Sequence, residues 1–89
     1  MKCVHIKVYG IVQGVFFRKF TQQKANQLGV KGYVRNAGDR TVEIEAEASS
    51  ETIDSLISWC HHGPERAVVN KVEVTESPLK NFTSFEIRK

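Results

Sequence analysis

Residues 41–64 read TVEIEAEASSETIDSLISWCHHGP, and the hydrophobic period changes once within them. From Thr41 to Ala48, Val42, Ile44 and Ala46 alternate with Glu43, Glu45 and Glu47. That period predicts a strand with the apolar residues facing in and the glutamates facing water. Beyond it, Ile53, Leu56, Ile57 and Cys60 recur at i, i+3, i+4, i+7, the stripe of an amphipathic helix. Ser49 or Ser50 supplies the cap, and Gly63 with Pro64 the stop. A strand therefore passes directly into a helix, and the rest of the chain is assigned around this pair.

Toward the N-terminus, Gly32–Asn36 reads as a further strand, separated from Thr41 by a short turn. Val4, Ile6 and Val8 alternate through Cys3–Tyr9 as the first strand, whose apolar face ends at Gly10. Phe17, Phe20, Ala25 and Leu28 fit one side of a helix that starts at or near Arg18 and stops at Gly29. Toward the C-terminus, Val68, Val72 and Val74 give a fourth strand and Ser77-Pro78 breaks it. Phe82–Ile87 adds a short last one with Phe85 and Ile87 inward. The order βαββαβ plus an extra C-terminal strand is that of an α+β, ferredoxin-like split βαβ sandwich: a mostly antiparallel sheet with two helices on one face. In that topology the first and third strands are the central neighbours.

The chain has 89 residues, enough for one domain spanning 1–89 and for one core. No apolar run approaches a membrane span, and the N-terminus lacks the apolar middle of a signal peptide, so a cytoplasmic protein is expected. Cys3 and Cys60 read as free thiols in that compartment. The net charge of +3 is spread along the chain and favours anionic ligands only weakly. Cys3, His5, Cys60, His61 and His62 do not form a metal set, because Cys60 belongs to the buried helical stripe and the last two histidines suit the helix C-terminus. Asp39 with Glu43 or Glu45 is no acid–base pair, since the glutamates alternate along a strand.

Between the first strand and the first helix lies GIVQGVFFR, Gly10 to Arg18. A loop entering a helix N-terminus presents unpaired N–H groups at the positive end of the helix dipole. Gly10 and Gly14 allow those amides to converge on an oxyanion, and Arg18 in the first turn adds a permanently charged fork. Two glycines before a helix serve equally as a plain turn, and local chemistry leaves both readings open. The spacing matches neither the dinucleotide fingerprint nor the nucleotide P-loop.

The same stretch resembles the first signature of the acylphosphatase family, G-x-V-Q-G-V-x-[FM]-R, at every specified position. Gly32-Tyr33-Val34-Arg35-Asn36 is similar to the family's second pattern, and further matches at Ala25, Leu28, Gly29, Gly63-Pro64, Ala67, Val72 and Phe85–Arg88 extend over nearly the whole chain. The resemblance implies the same sandwich fold and metal-independent, cofactor-free hydrolysis of acyl phosphates to a carboxylate and inorganic phosphate. It implies that Arg18 binds substrate, that Asn36 positions the attacking water, and that the amides of Gln13, Gly14, Val15, Phe16 and Phe17 cradle the phosphate. It also implies a small-molecule substrate and a monomer, with no nucleic acid or membrane as partner.

So sparse a site suits this chemistry. The leaving group is a carboxylate whose conjugate acid has a pKa near ~4, so no general acid is required. Phosphoryl transfer depends mainly on positioning and on charge placed around the phosphoryl oxygens. Asn36 orients water but is no base, because an amide takes up no proton near neutrality. The chain departs from the family at Ala37-Gly38-Asp39-Arg40, where Arg40 stands in place of the usual glycine; Gly38 or Asp39 is then expected to take the positive φ. Arg40 reads as a solvated turn residue rather than a second substrate charge. Ala48 also replaces a usual glycine. RNA binding fails as a reading because the stacking aromatics that should follow Lys31-Gly32-Tyr33-Val34 are replaced by Arg35 and Gly38. The remaining alternative is a module that binds phosphate or a carbamoyl-phosphate-type anion without turnover.

Overall fold

The computed structural model describes residues 1–89. The elements are β1 (Lys2–Ile11), α1 (Phe17–Leu28), β2 (Lys31–Asn36), β3 (Val42–Ala48), α2 (Ser50–Cys60), β4 (Val68–Ser77) and β5 (Phe85–Arg88). They build a five-stranded sheet in the order β4-β1-β3-β2-β5, with β1 and β3 as the expected central neighbours. Val4, Ile6, Val8, Ile44 and Ala46 on those two strands join Phe17, Ala25, Ile53 and Leu56 from the helices in one core. Burial of each valine, isoleucine, leucine or phenylalanine among them contributes about 1.5–3 kcal/mol, which holds both helices to a single face.

The helix ends follow from local chemistry. Ser49, not Ser50, caps α2 by accepting a hydrogen bond from the Thr52 amide. Gly29 closes α1 in the left-handed conformation at φ 79°. At its start α1 has no capping side chain, and Phe16 holds the N-cap position with φ 62°. β1 runs two residues beyond its expected end at Tyr9, through an irregularity at Tyr9/Gly10 that brings Gly10 and Ile11 against Val69 and Val68 of β4.

β5 pairs parallel with β2, the single parallel pairing in an otherwise antiparallel sheet. The cause is the segment after Ser77, which crosses from the β4 edge to the β2 edge and enters β5 in the same direction as β2. Several expectations are corrected. Glu45 and Glu47 do not face water, being only 4% and 3% exposed. The crossing segment covers them: Glu47 accepts hydrogen bonds from the amides of Lys80 (2.8 Å), Asn81 (3.1 Å) and Phe82 (2.9 Å). Glu45 pairs with the Lys80 ammonium. Phe82 meets Tyr33 edge-on, completing the cover over that face of the sheet.

On α1 the buried positions are Phe17, Thr21 and Ala25, while Phe20 is 42% exposed. Thr21 fits the core face because its hydroxyl donates to the Phe17 carbonyl, removing the cost of burying a free polar group. Phe85 points inward as expected, but Ile87, near the open end of an edge strand, is 40% exposed. Val68 and Val74 on β4 are likewise exposed. Cys3 and Cys60 are buried free thiols; Cys3 lies opposite Glu47 and Ser77, while Cys60 lies in the helix-side core. Burial pushes the Cys60 thiol up to about 12, leaving it without thiolate at neutral pH.

Candidate active site

The loop from Val12 to Phe16 leaves the end of β1 and meets the uncapped start of α1. Gly14 at φ 75° and Phe16 at φ 62° are both left-handed, separated by one residue. None of the amides from Gln13 to Phe17 donates to a backbone carbonyl. A run of free N–H groups ending at a helix N-terminus forms a nest for an oxyanion. A Cβ at Gly14 would meet nothing within 4 Å, so what glycine supplies there is backbone freedom, not space.

Arg18, in the first turn of α1, and Asn36, the last residue of β2, line one pocket of about 320 Å³ together with Gly14, Phe16, Phe17 and Lys19. Gln13 and Val15 are not among its lining residues. Two cations and no carboxylate line the pocket, so its field favours an anion. Arg18 Nη1 lies 3.5 Å from the Arg88 carbonyl, and Ile87 forms part of the wall, so β5 limits where the guanidinium rests.

Gln13 has a role that sequence reasoning missed. Its Nε2 donates to the carbonyls of Ala37 (2.9 Å) and Thr41 (3.0 Å), tying the anion loop to the turn that carries Asn36. The signal was a lone amide side chain in an apolar, glycine-containing loop, but its partners lie on a different hairpin.

The turn itself differs from expectation. Ala37 N–H donates to the Thr41 carbonyl and Arg40 N–H to the Ala37 carbonyl, a tight turn followed by one left-handed residue. That residue is Arg40 at φ 70°; neither Gly38 nor Asp39 takes the positive φ. The backbone thus keeps a glycine-type conformation and accepts strain on a side-chain-bearing residue, at a cost of about 1–2 kcal/mol. Compensation comes from Asp39, whose carboxylate accepts from the Thr41 hydroxyl and amide and pairs with Lys7 at 2.9 Å. The Thr41 hydroxyl and then Lys7 hold the Asp39 carboxyl well below the usual range.

No three His, Cys, Asp or Glu side chains converge anywhere in the molecule in a way that would hold a metal ion. No helix is long and apolar enough to cross a membrane.

A family model described as acylphosphatase matches residues 4–87. An acylphosphatase of Marinobacter nauticus is 50% identical over 82 residues, covering 91% of this chain and 89% of the relative. One from Acidovorax sp. is 44% identical over 84 residues, covering 94% and 87% respectively. The crystal structure of acylphosphatase from Bacillus subtilis superposes with a TM-score of 0.97 at 36% identity, covering 100% of both chains.

Proposed function

The chain belongs to the acylphosphatase family and hydrolyses acyl phosphates to carboxylate and inorganic phosphate, and on that premise we propose how its residues divide the work. The amides from Gln13 to Phe17 and the Arg18 guanidinium receive the phosphoryl oxygens. Asn36 orients a water for attack on phosphorus in line with the departing carboxylate. What carries this reading is that Arg18 and Asn36, from separate elements, line one pocket beside the unpaired amides of an uncapped helix start.

Each group does what its chemistry allows. Arginine remains charged throughout and matches two phosphoryl oxygens with parallel donors. The amides are fixed before substrate arrives, so charge developing on the equatorial oxygens is stabilised without reorganisation. A phosphoryl oxygen of the substrate accepts the proton of the water that Asn36 directs. The leaving carboxylate departs without protonation. The proposal extends to a cytoplasmic monomer of one domain: Arg18 and Asn36 meet around one sheet with a single core, and both cysteines are free thiols.

Inorganic phosphate, the product, tests the division of roles directly. By titration calorimetry or phosphorus NMR, the wild type and Asn36→Ala bind phosphate with similar affinity, while Arg18→Ala loses binding by on the order of 10²-fold. Equal loss in both variants would contradict the assignment of Asn36 to water rather than to phosphate.

A further inference from the structure

The charges of α1 stand at the wrong end for helix stability. Arg18 and Lys19 are consecutive in its first turn, no acidic residue shares that turn, and no basic residue stands in the last one. Both cations therefore lie at the positive end of the helix dipole, where positive charge is disfavoured, and the end that would favour them has none. Neither makes an ion pair with a carboxylate, and Arg18 reaches only the Arg88 carbonyl. Lys19 is exposed, yet it lines the same pocket of about 320 Å³ as Arg18 and Asn36.

We propose that Lys19 is a second substrate-binding cation, and that with Arg18 it matches the pocket to a phosphoryl group carrying two negative charges. The proposal rests on the assignment of the phosphoryl oxygens to the anion loop and Arg18 given above. Near neutral pH a phosphoryl group on an acyl oxygen is essentially a dianion. Arg18 balances one of its charges, and Lys19 is the only other cation lining the pocket. An ammonium on a flexible stem acts as a point charge, so it holds the group from the solvent side without the fixed geometry that the Arg18 fork imposes. The bound anion in turn relieves the repulsion between the two neighbouring cations and their conflict with the dipole. Substrate, transition state and product phosphate all carry this charge. Lys19 therefore binds all three alike, which lowers KM and strengthens product binding without speeding the chemical step.

The test sets anion affinity against stability in Lys19→Met, Lys19→Glu and Lys19→Arg, with Arg18→Ala as the reference. Lysine, methionine and glutamate have similar helix propensities, so charge is the main change among the first two variants and the wild type. Titration calorimetry with sodium phosphate gives the affinity, and urea unfolding in phosphate-free buffer of low ionic strength gives the stability. Lys19→Met weakens phosphate binding about three- to tenfold, Lys19→Glu weakens it further, and Lys19→Arg stays within about twofold of the wild type. Without phosphate the order reverses: the urea midpoint rises from the wild type to Lys19→Met and again to Lys19→Glu. In acetyl phosphate hydrolysis, Lys19→Met loses kcat/KM by the same factor as its phosphate affinity, and the loss is carried by KM. Phosphate affinity of Lys19→Met within about 1.5-fold of the wild type overturns the proposal, as does a urea midpoint below the wild type. If Arg18→Ala loses phosphate binding and Lys19→Met does not, Lys19 alone is struck; if neither loses it, the anion site falls as well.

Discussion

Gln13, Asn36 and Arg40 show how much of the site rests on individual side chains. Gln13 holds two carbonyls of the Asn36 turn, and no other side chain donates to the Ala37 carbonyl. Replacing it by leucine removes both bonds while keeping the volume, and a displacement of Asn36 near 1 Å is costly in rate. Gln13→Leu is therefore expected to lower kcat for acetyl phosphate by about tenfold to 10²-fold, with little change in phosphate affinity. Steady-state kinetics with a phosphate titration checks the split. Arg40 gives the opposite case. Its left-handed backbone is strained, so Arg40→Gly relieves that strain but adds freedom to the unfolded chain; the net expectation is about 0.5–1 kcal/mol of added stability in urea unfolding. Activity should be retained, because the backbone already has the shape glycine prefers. The family resemblance marked position 40 as a departure, but only the backbone conformation showed that the turn had not shifted.

At the scale of elements, the start of α1 and the crossing segment before β5 carry the most consequence. Gly14→Ala places a Cβ in open space but imposes the left-handed penalty, so it is expected to destabilise the fold by about 1 kcal/mol and to weaken phosphate binding as the loop relaxes. Denaturation and phosphate titration measure the two effects separately. The crossing segment is secured chiefly by Glu47, whose carboxyl is held below its ordinary 4.5, first by the Lys80 amide and then by those of Asn81 and Phe82. The unfolded chain thus binds this proton more tightly than the folded one. Its stabilising contribution is complete above about pH 4.5 and is lost as pH falls through the lower folded value. Glu47→Gln should be less stable than wild type near pH 7, with the difference shrinking toward pH 3, as unfolding midpoints at the two pH values will show. Sequence alternation separated Glu45 and Glu47 from the apolar face but placed them in water, whereas both are buried. It could not reveal the cover, because that face is closed by residues more than 30 positions later.

Across the whole molecule, the layered fold was legible because its signals are local and periodic. Alternation in β1 and β3 and the stripe of α2 each lie within a short window, and each states which face is buried. The contacts that complete the site are not local: Arg18 meets Arg88, and Gln13 reaches across to Thr41. The direction of β5 is of the same kind, since it depends on where the chain crosses the sheet and not on the residues of the strand. A net charge of +3 and a pocket with cations but no carboxylate also act at this scale. Screening should raise KM for acetyl phosphate as salt increases from low to physiological strength, while kcat stays nearly constant.

The central claim is that an anion loop closed by Arg18 and a water directed by Asn36 suffice for turnover. Its most direct test is the steady-state hydrolysis of acetyl phosphate, in the presence of a metal chelator, by the wild type, Arg18→Ala and Asn36→Ala. The account predicts that the wild type keeps its activity with chelator and that each variant loses on the order of 10²-fold or more in kcat/KM while remaining folded. Asn36→Ala at the wild-type rate would contradict it.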